Sequence, residues 1–334
     1  MTVVVTGSTG HIGTNLVEAV AAAGREVVTV DLDEPAHLPA GVRRIRADVR
    51  DRDAMREAFA GASTVFHLAA IISVVGGRGG LVDSVNVGGV RATARAALDV
   101  GVRRFVHCSS VHAFDLERCR GATFTEDSPR SVDPRLPAYD RSKAAGEAAL
   151  REVVADGLDA VVLNPSGVIG PRDDAPSRMG AVLLAAAVGR LPATVAGTFD
   201  WVDVRDVVAA LTAAETRGTT GANHLLGGHS ASLAELVRIA CAVTGARRPP
   251  DLPLWFARIW SPAATAAARR SANPLLYAGE SLHAVSCRPV VDHSRATDVL
   301  GHHPRPLVET VTDLLLDFTA RGLLAATQGA WTRA

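Results

Sequence analysis

The stretch TGSTGHIG, Thr6 to Gly13, restricts the fold of this chain more than any other. It follows a β-branched run at residues 2–6 and opens a helical pattern at 12–23. Gly7, Gly10 and Gly13 stand three apart. Glycine at such positions permits a tight turn and a close approach of backbone to a pyrophosphate. The helix N-terminus adds unpaired N–H groups and a positive dipole end. A second strand pattern, residues 26–31, ends in Asp31, at the distance of about 20 residues that suits a ribose-binding carboxylate. Strand, glycine turn, helix, strand and acid in this order admit a parallel sheet with right-handed crossovers and little else.

The alternation continues through the first half of the chain. Strand patterns at 43–47, 64–68, 103–108 and 160–163 alternate with helical patterns at 53–60, 82–100 and 137–155. The expected class is therefore α/β, a Rossmann-type doubly wound parallel sheet. After Pro165 the rhythm turns irregular. Helices are expected at 179–189, 233–244, 254–270, 294–300 and 307–321. TFDWVDVRDVVAALTAAE reads as a short strand and a helix, NHLLG as a strand, and RPVVD as a loop. The expected organisation is a dinucleotide-binding domain of residues 1–168 plus 203–228. A smaller, mostly helical substrate lobe, 169–202 plus 229–334, rests on the C-terminal edges of the sheet.

Composition excludes several classes. Acidic and basic residues balance at 35 each, so no nucleic-acid partner is expected. The four cysteines, Cys108, Cys119, Cys241 and Cys287, are scattered without a zinc spacing, so no metal is expected. No leader is expected before the first strand, and the longest apolar helical stretch, 179–189, falls short of a bilayer span. A cytoplasmic protein acting on a small molecule, without a membrane partner, is the expectation.

Asp31 can accept hydrogen bonds from the adenosine ribose hydroxyls and would repel a 2′-phosphate. Asp33 and Glu34 add negative charge, and no arginine directly follows Asp31. NAD is thus favoured over NADP. Asp48 ends the third strand, where adenine is expected to lie, or else caps the next helix. The stretch AYDRSK, Ala138 to Lys143, holds the only lysine among the 35 basic residues and one of two tyrosines. Tyr139 and Lys143 are four apart and share a helix face. A phenol ionises near pH 10. A neighbouring ammonium, aided by the positive nicotinamide ring, favours the phenolate, so Tyr139 can exchange a proton with a hydroxyl or ketone while hydride moves to or from the cofactor. The same ammonium suits the nicotinamide ribose better than a guanidinium fork does. CSS, Cys108 to Ser110, ends the preceding strand, where a hydroxyl polarises the substrate oxygen.

TGSTGHIG, FHLAA, VNVGG, CSS, YDRSK and NPSGVIGP, with the later WVDVRDV, LLGG and VDHSRATDVLGHHPRPL, resemble in order the landmarks of the extended short-chain dehydrogenase/reductase family. This is also called the NAD-dependent epimerase/dehydratase family, and the resemblance leans to its dihydroflavonol-reductase and hydroxysteroid-dehydrogenase-like branch. It implies a triad of Ser110, Tyr139 and Lys143, supported by Asn86; Ser110 stands four residues before the aromatic Phe114. It implies that the cofactor lies against Gly7, Thr9, Gly10, His11, Ile12 and Gly13, with Asp31, Asp48 and Val49 at its adenosine end. Leu68, Ala69, Ala70, Cys108 and Pro165 would flank the rest, beside Tyr139 and Lys143. A homodimer through the helices at 82–100 and 137–155 is also implied.

Two departures from the family pattern steer the function. Dehydratases of the family carry an Asp–Glu pair after the active hydroxyl; Val111 and His112 stand here. Dehydration is disfavoured, and His112 is a candidate second acid/base or substrate contact, or else a polar loop residue. Many sugar-nucleotide epimerases carry a diphosphate-binding Arg where this chain has Phe199. The substrate lobe is apolar, with Trp201, Leu254, Trp255, Phe256, Ile259 and Trp260. The expected substrate contacts are Ser109, His112, Asn164, Arg178 and Trp201, while Arg172, Arg178 and Arg288 are candidates for an anionic group. The leading expectation is an NAD-dependent oxidoreductase interconverting a secondary alcohol and a ketone, or an aldehyde and an alcohol. A sugar-nucleotide epimerase with tightly held NAD is the alternative. The intact Tyr–Lys pair argues against a third reading, a non-catalytic dinucleotide sensor.

Overall fold

Val3, Val4 and Val5 are fully buried, and a strand sends alternate side chains to opposite faces. Val3 and Val5 pack against Leu16, Val17 and Val20 on one side of the sheet. Val4 packs against Met55, Phe59 and Ala94 on the other. A strand with both faces covered is the signature of a parallel sheet between two helical layers. The computed structural model describes residues 1–253, 255, 259, 286–287 and 290–325.

The strands of the large sheet appear in chain order as β1 (Thr2–Thr6), β2 (Glu26–Asp31), β3 (Arg43–Arg46), β4 (Thr64–His67) and β5 (Arg104–Cys108). Past a short β6 (Thr123–Phe124) comes β7 (Ala160–Pro165). Past β8 (Gly167–Ile169), β9 (Thr194–Val195) and β10 (Thr198–Asp203) comes β11 (Asn223–Leu226). Seven of them form one sheet in the order β11-β7-β5-β4-β1-β2-β3. Every pairing in it is parallel. The chain reverses its direction of travel across the sheet between β1 and β4, and a crevice opens there outside the strand ends.

The helices are α1 (His11–Ala22), α2 (Arg52–Phe59), α3 (Leu81–Asp83), α4 (Val90–Asp99), α5 (Ala138–Ala155), α6 (Arg178–Ala187), α7 (Val204–Ala213), α8 (Leu233–Thr244), α9 (Ser294–Leu300) and α10 (Leu307–Ala320). Where the pattern predicts one helix over 82–100, α3 and α4 are joined by a π-helical turn, Ser84–Gly89. The Asn86 side chain bonds both the N–H and the carbonyl of Ile71, across from the helix. The neighbouring Gly88 and Gly89 tolerate the widened turn.

The second half is less purely helical than expected. β8 and β10 join β12 (His229–Ser232) in a three-stranded sheet. β9 pairs with β13 (Asp251–Leu252), and β6 with β14 (Val290–Val291), which lies in the stretch read as a loop. Strands of two to four residues are too short to show an alternation. A separate core joins α6, α8 and α10 to Phe114, Phe124 and Trp201. WVDVRDV acts as a joint: Arg205 pairs with Asp203 and with Asp313 on α10, and Arg305 with Asp206. The helix expected over 254–270, with Leu254, Phe256 and Trp260, and Arg288 lie outside the described residues. Trp255 and Ile259 are exposed.

Gly146 on α5 is buried against the π-helical turn, and a Cβ there would stand 2.3 Å from the carbonyl oxygen of Asn86. Gly146→Ala must push the two helices apart. A loss of about 1–3 kcal/mol, read as a lowered thermal midpoint by circular dichroism, is expected.

Candidate active site

A crevice of about 750 Å³ lies at the C-terminal ends of β1, β2, β4, β5 and β7. Its floor is the turn between β1 and α1. Gly7 has φ +70°, and a Cβ on it would lie 2.5 Å from the Ala69 nitrogen. A Cβ on Gly13 would lie 2.2 Å from the Gly7 carbonyl oxygen. Only glycine lets this turn close so tightly, and the closure leaves the first turn of α1, from His11, facing the crevice. This cradle fits a pyrophosphate. Asp31 at the end of β2 accepts from the Thr9 backbone N–H (3.0 Å) and hydroxyl (2.9 Å), which fixes the turn against the neighbouring strand. His11 reaches the carbonyl oxygens of Gly170 and Pro171, tying the turn to the opposite wall.

At the same end, Asp48 holds Arg50 at 2.5 Å, and that hydrogen bond keeps its carboxyl below the usual range. Both line the crevice. Asp48 is not the cap of α2; Asp51 is, accepting from the Ala54 N–H at 3.0 Å. Arg50 is a crevice residue that the sequence reading missed, because its partner lies only two positions away, in a loop.

Thr9, Gly10, Ile12, Val49, Leu68, Ala69, Ala70, Cys108, Ser110, His112, Tyr139, Lys143, Pro165 and Arg178 line the same crevice. Cys108 ends β5, and burial pushes its thiol up to about 11, so it stays protonated and unreactive. Tyr139 and Lys143 both point from α5 and are 8% and 5% exposed. The Lys143 Nζ lies 5.9 Å from the Tyr139 ring centroid.

The protein surroundings of Tyr139 do not by themselves favour its phenolate. Burial raises the phenol well above its usual value. A hydrogen bond with Ser110 pulls it back, the Asp140 charge pushes it further up, and Arg178 pulls it down. Lys143, itself lowered by burial, does not offset the desolvation of the phenolate. Beside them, the His112 ring packs on Tyr139 (5.4 Å) and on Phe199 (5.9 Å), and Phe199 packs on Trp201 (5.6 Å).

Four expected site residues lie elsewhere or face away. The Asn86 amide is spent on Ile71 and on Ser142 Oγ, outside the crevice lining, so it braces the loop after β4. Trp201 is buried, with its Nε1 donating to the Ala231 carbonyl, because β10 turns that face into the second core. Asn164 donates to Glu147 (2.7 Å) and to the Ser110 carbonyl (3.0 Å), beneath the crevice. Ser109 lines the crevice, but its hydroxyl turns inward to Glu147 (2.6 Å). Of the two described arginines put forward for an anion, Arg172 pairs with Glu18 and Arg178 lines the crevice.

Glu147 is the main residue missed. It is fully buried and accepts from Ser109, Asn164, Asn223, Arg151 and Arg130. Its signal was present: Tyr139, Lys143, Glu147 and Arg151 continue one four-residue step along a helix face. Among the described residues no cluster of three or more His, Cys, Asp or Glu is placed to hold a metal. Nor is any described helix long and apolar enough to cross a membrane. The arrangement can hold a dinucleotide and donate a proton beside it.

Comparison with known proteins gives the same direction. The sequence model of the NAD dependent epimerase/dehydratase family matches residues 3–226. Sterol demethylase protein B of Methylococcus capsulatus is 33% identical over 334 residues, covering 97% of this chain and 100% of that protein. A putative dihydroflavonol 4-reductase of Synechocystis is 30% identical over 262 residues, 75% of each chain. The structure of MoeE5 in complex with UDP-glucose and NAD superposes with a TM-score of 0.75 at 26% identity, covering 97% of this chain and 100% of that one.

The raised phenol is directly measurable, since Tyr277 is the only other tyrosine. In a Tyr277→Phe protein without cofactor, phenolate absorbance should stay absent at about pH 10, where free tyrosine is half ionised. It should grow only at higher pH. Half-ionisation at or below that point would contradict the desolvated site.

Proposed function

The chain belongs to the NAD-dependent epimerase/dehydratase family; within it we propose an oxidoreductase that interconverts a secondary alcohol and a ketone on a hydrophobic, sterol-like molecule. One observation carries this reading. Phe199 stacks on His112 beside Tyr139, where nucleotide-sugar relatives offer an arginine to a diphosphate. An aromatic ring cannot neutralise a phosphate, and it suits an apolar ring system. The likeness to a protein named sterol demethylase protein B, over the full length of both chains, supports the same substrate class.

Gly7, Gly10, Gly13 and the first turn of α1 would hold the pyrophosphate of NAD. Asp31 would take the adenosine ribose, Asp48 and Val49 the adenine, Lys143 the nicotinamide ribose, and Cys108 and Pro165 the nicotinamide side. When bound, NAD supplies the hydride acceptor and its reduced form the donor. Tyr139 exchanges the proton at the substrate oxygen. Its burial keeps that proton on the phenol, which suits donation to a ketone. In the oxidation direction Tyr139 must release the proton first, and the Lys143 ammonium favours the phenolate then. The Ser110 hydroxyl positions the oxygen beside it. His67 supports this arrangement from below: burial lowers it to about 3, so it stays neutral and adds no charge against Lys143.

A substrate screen of 3β-hydroxysterols with NAD, following NADH, tests the assignment. Net NADH must form; activity on UDP-sugars with no net NADH would put the epimerase in its place. Tyr139→Phe should lower turnover about 10²- to 10⁴-fold while NAD binding, followed by fluorescence titration, stays within a few-fold. Asp31→Gly should reduce the ratio of kcat/KM with NAD to that with NADP, because the carboxylate no longer repels a 2′-phosphate. The implied homodimer through the helices at 82–100 and 137–155 belongs to the same proposal. Light scattering at micromolar protein should return twice the chain mass.

A further inference from the structure

Asp48 and Arg50 close into a ring at the adenosine end of the crevice. Asp48 Oδ1 accepts from the Arg50 backbone N–H (2.9 Å) and from its Nε (2.9 Å), and Oδ2 accepts from its Nη2 (2.5 Å). The Arg50 Nη1 donates to Ser84 Oγ at 3.1 Å, and Ser84 opens the π-helical turn. The same turn backs the residue between them: a Cβ on Gly89 would stand 2.9 Å from Val49 Cγ2. An arginine side chain carries five N–H groups. Three are committed here, and no partner for the others occurs among the described residues. One N–H on each terminal nitrogen therefore stays open. The Arg50 side chain is 41% exposed and lines the crevice with Asp48 and Val49. Its charge is matched by Asp48, so the pair has little pull on a phosphate. What it presents to the crevice is an acceptor and a fixed donor, side by side.

We propose that Arg50 selects the base of the cofactor: while Asp48 accepts from the 6-amino group of adenine, the Arg50 guanidinium donates to the ring nitrogen N7 beside it. Adenine shows a donor and an acceptor next to each other on that edge, the complement of what Asp48 and Arg50 present. Guanine shows acceptors at both positions and would set its O6 against the carboxylate, so the same pair rejects it. Rigidity adds to the selection. A free arginine loses rotamer freedom when it binds, whereas Arg50 is already held by Asp48 and Ser84. Lysine in its place keeps the charge and loses the planar fork, and alanine leaves Asp48 alone at the edge. Arg50 is a specificity residue in this scheme and takes no part in the hydride or proton steps. The inference rests on the function proposed above only in setting the adenosine of a dinucleotide against Asp48 and Val49.

Competition binding on the full chain tests this without turnover. NADH bound to the protein is followed by its fluorescence and displaced with ADP or with 7-deaza-ADP, in which a C–H replaces N7. The wild-type protein should hold ADP about tenfold more tightly than 7-deaza-ADP. Arg50→Ala should weaken ADP about tenfold and erase the difference between the two nucleotides, because the deleted donor and the deleted acceptor belong to one bond. Arg50→Lys should lose the preference too; wild-type affinity for ADP in that variant would assign the effect to charge and overturn the proposal. A purely structural loss would weaken both nucleotides equally and keep their ratio. Such an undiminished preference in Arg50→Ala, or equal binding of the two nucleotides by the wild type, overturns the role of Arg50 and leaves the oxidoreductase reading standing. Failure of ADP to displace NADH from the wild type removes the adenosine seat at Asp48 and Val49, and this inference with it. No binding of NADH at all overturns the cofactor assignment as well.

Discussion

A single buried carboxylate holds α5, the helix that carries Tyr139 and Lys143, to the sheet. Glu147 has no exposed surface, and an unpaired charge there would be very costly. It is satisfied from five directions, by Ser109 after β5, Asn164 on β7, Asn223 on β11, Arg151 on its own helix and Arg130 from the loop before it. Arg130 also packs over the Phe114 ring at 4.1 Å. Three parallel strands, one helix and one loop therefore meet at one side chain. Lys143 and Tyr139 stand one and two turns earlier on the same face, so their position in the crevice follows from where Glu147 is anchored.

The second constraint is the lack of space at the β1–α1 turn. Gly7 meets the loop after β4, and Gly13 meets Gly7 itself. Asp31 bonds Thr9 across the same turn, and His11 ties it to the loop after β8 at Gly170 and Pro171. The crevice is thus bounded by rigid backbone on one side and by α5 on the other. The aromatic group of His112, Phe199 and Trp201 links its Tyr139 end to the second core. Burial enters the chemistry here: the packing that fixes Tyr139 also removes water from its phenol.

Much of this was legible in the chain itself. The alternation of β-branched runs with helical patterns and the glycine spacing led to the parallel sheet, and the four-residue step on α5 placed Tyr139 and Lys143 together. The π-helical turn at Ser84–Gly89 was hidden because its cause, the Asn86 bonds to Ile71, joins residues 15 apart. The strand pairs β6 with β14 and β9 with β13 were hidden because two-residue strands carry no periodicity. Ser109, Asn164 and Trp201 read as substrate contacts because strand ends and aromatics often are. Each was claimed instead by a buried partner distant in sequence.

The sequence by itself determined the architecture and the residue types at the site, because spacing along a strand or helix dictates which side chains share a face. It did not determine which way those side chains are pulled. Whether Ser109 faces the crevice or Glu147, and whether His112 stands alone or against Asp140, depends on contacts made only when distant segments pack. The same holds for Tyr139. A neighbouring lysine argues for a lowered phenol, yet the folded chain raises it, since desolvation depends on everything packed around a group and not on its nearest neighbour in sequence.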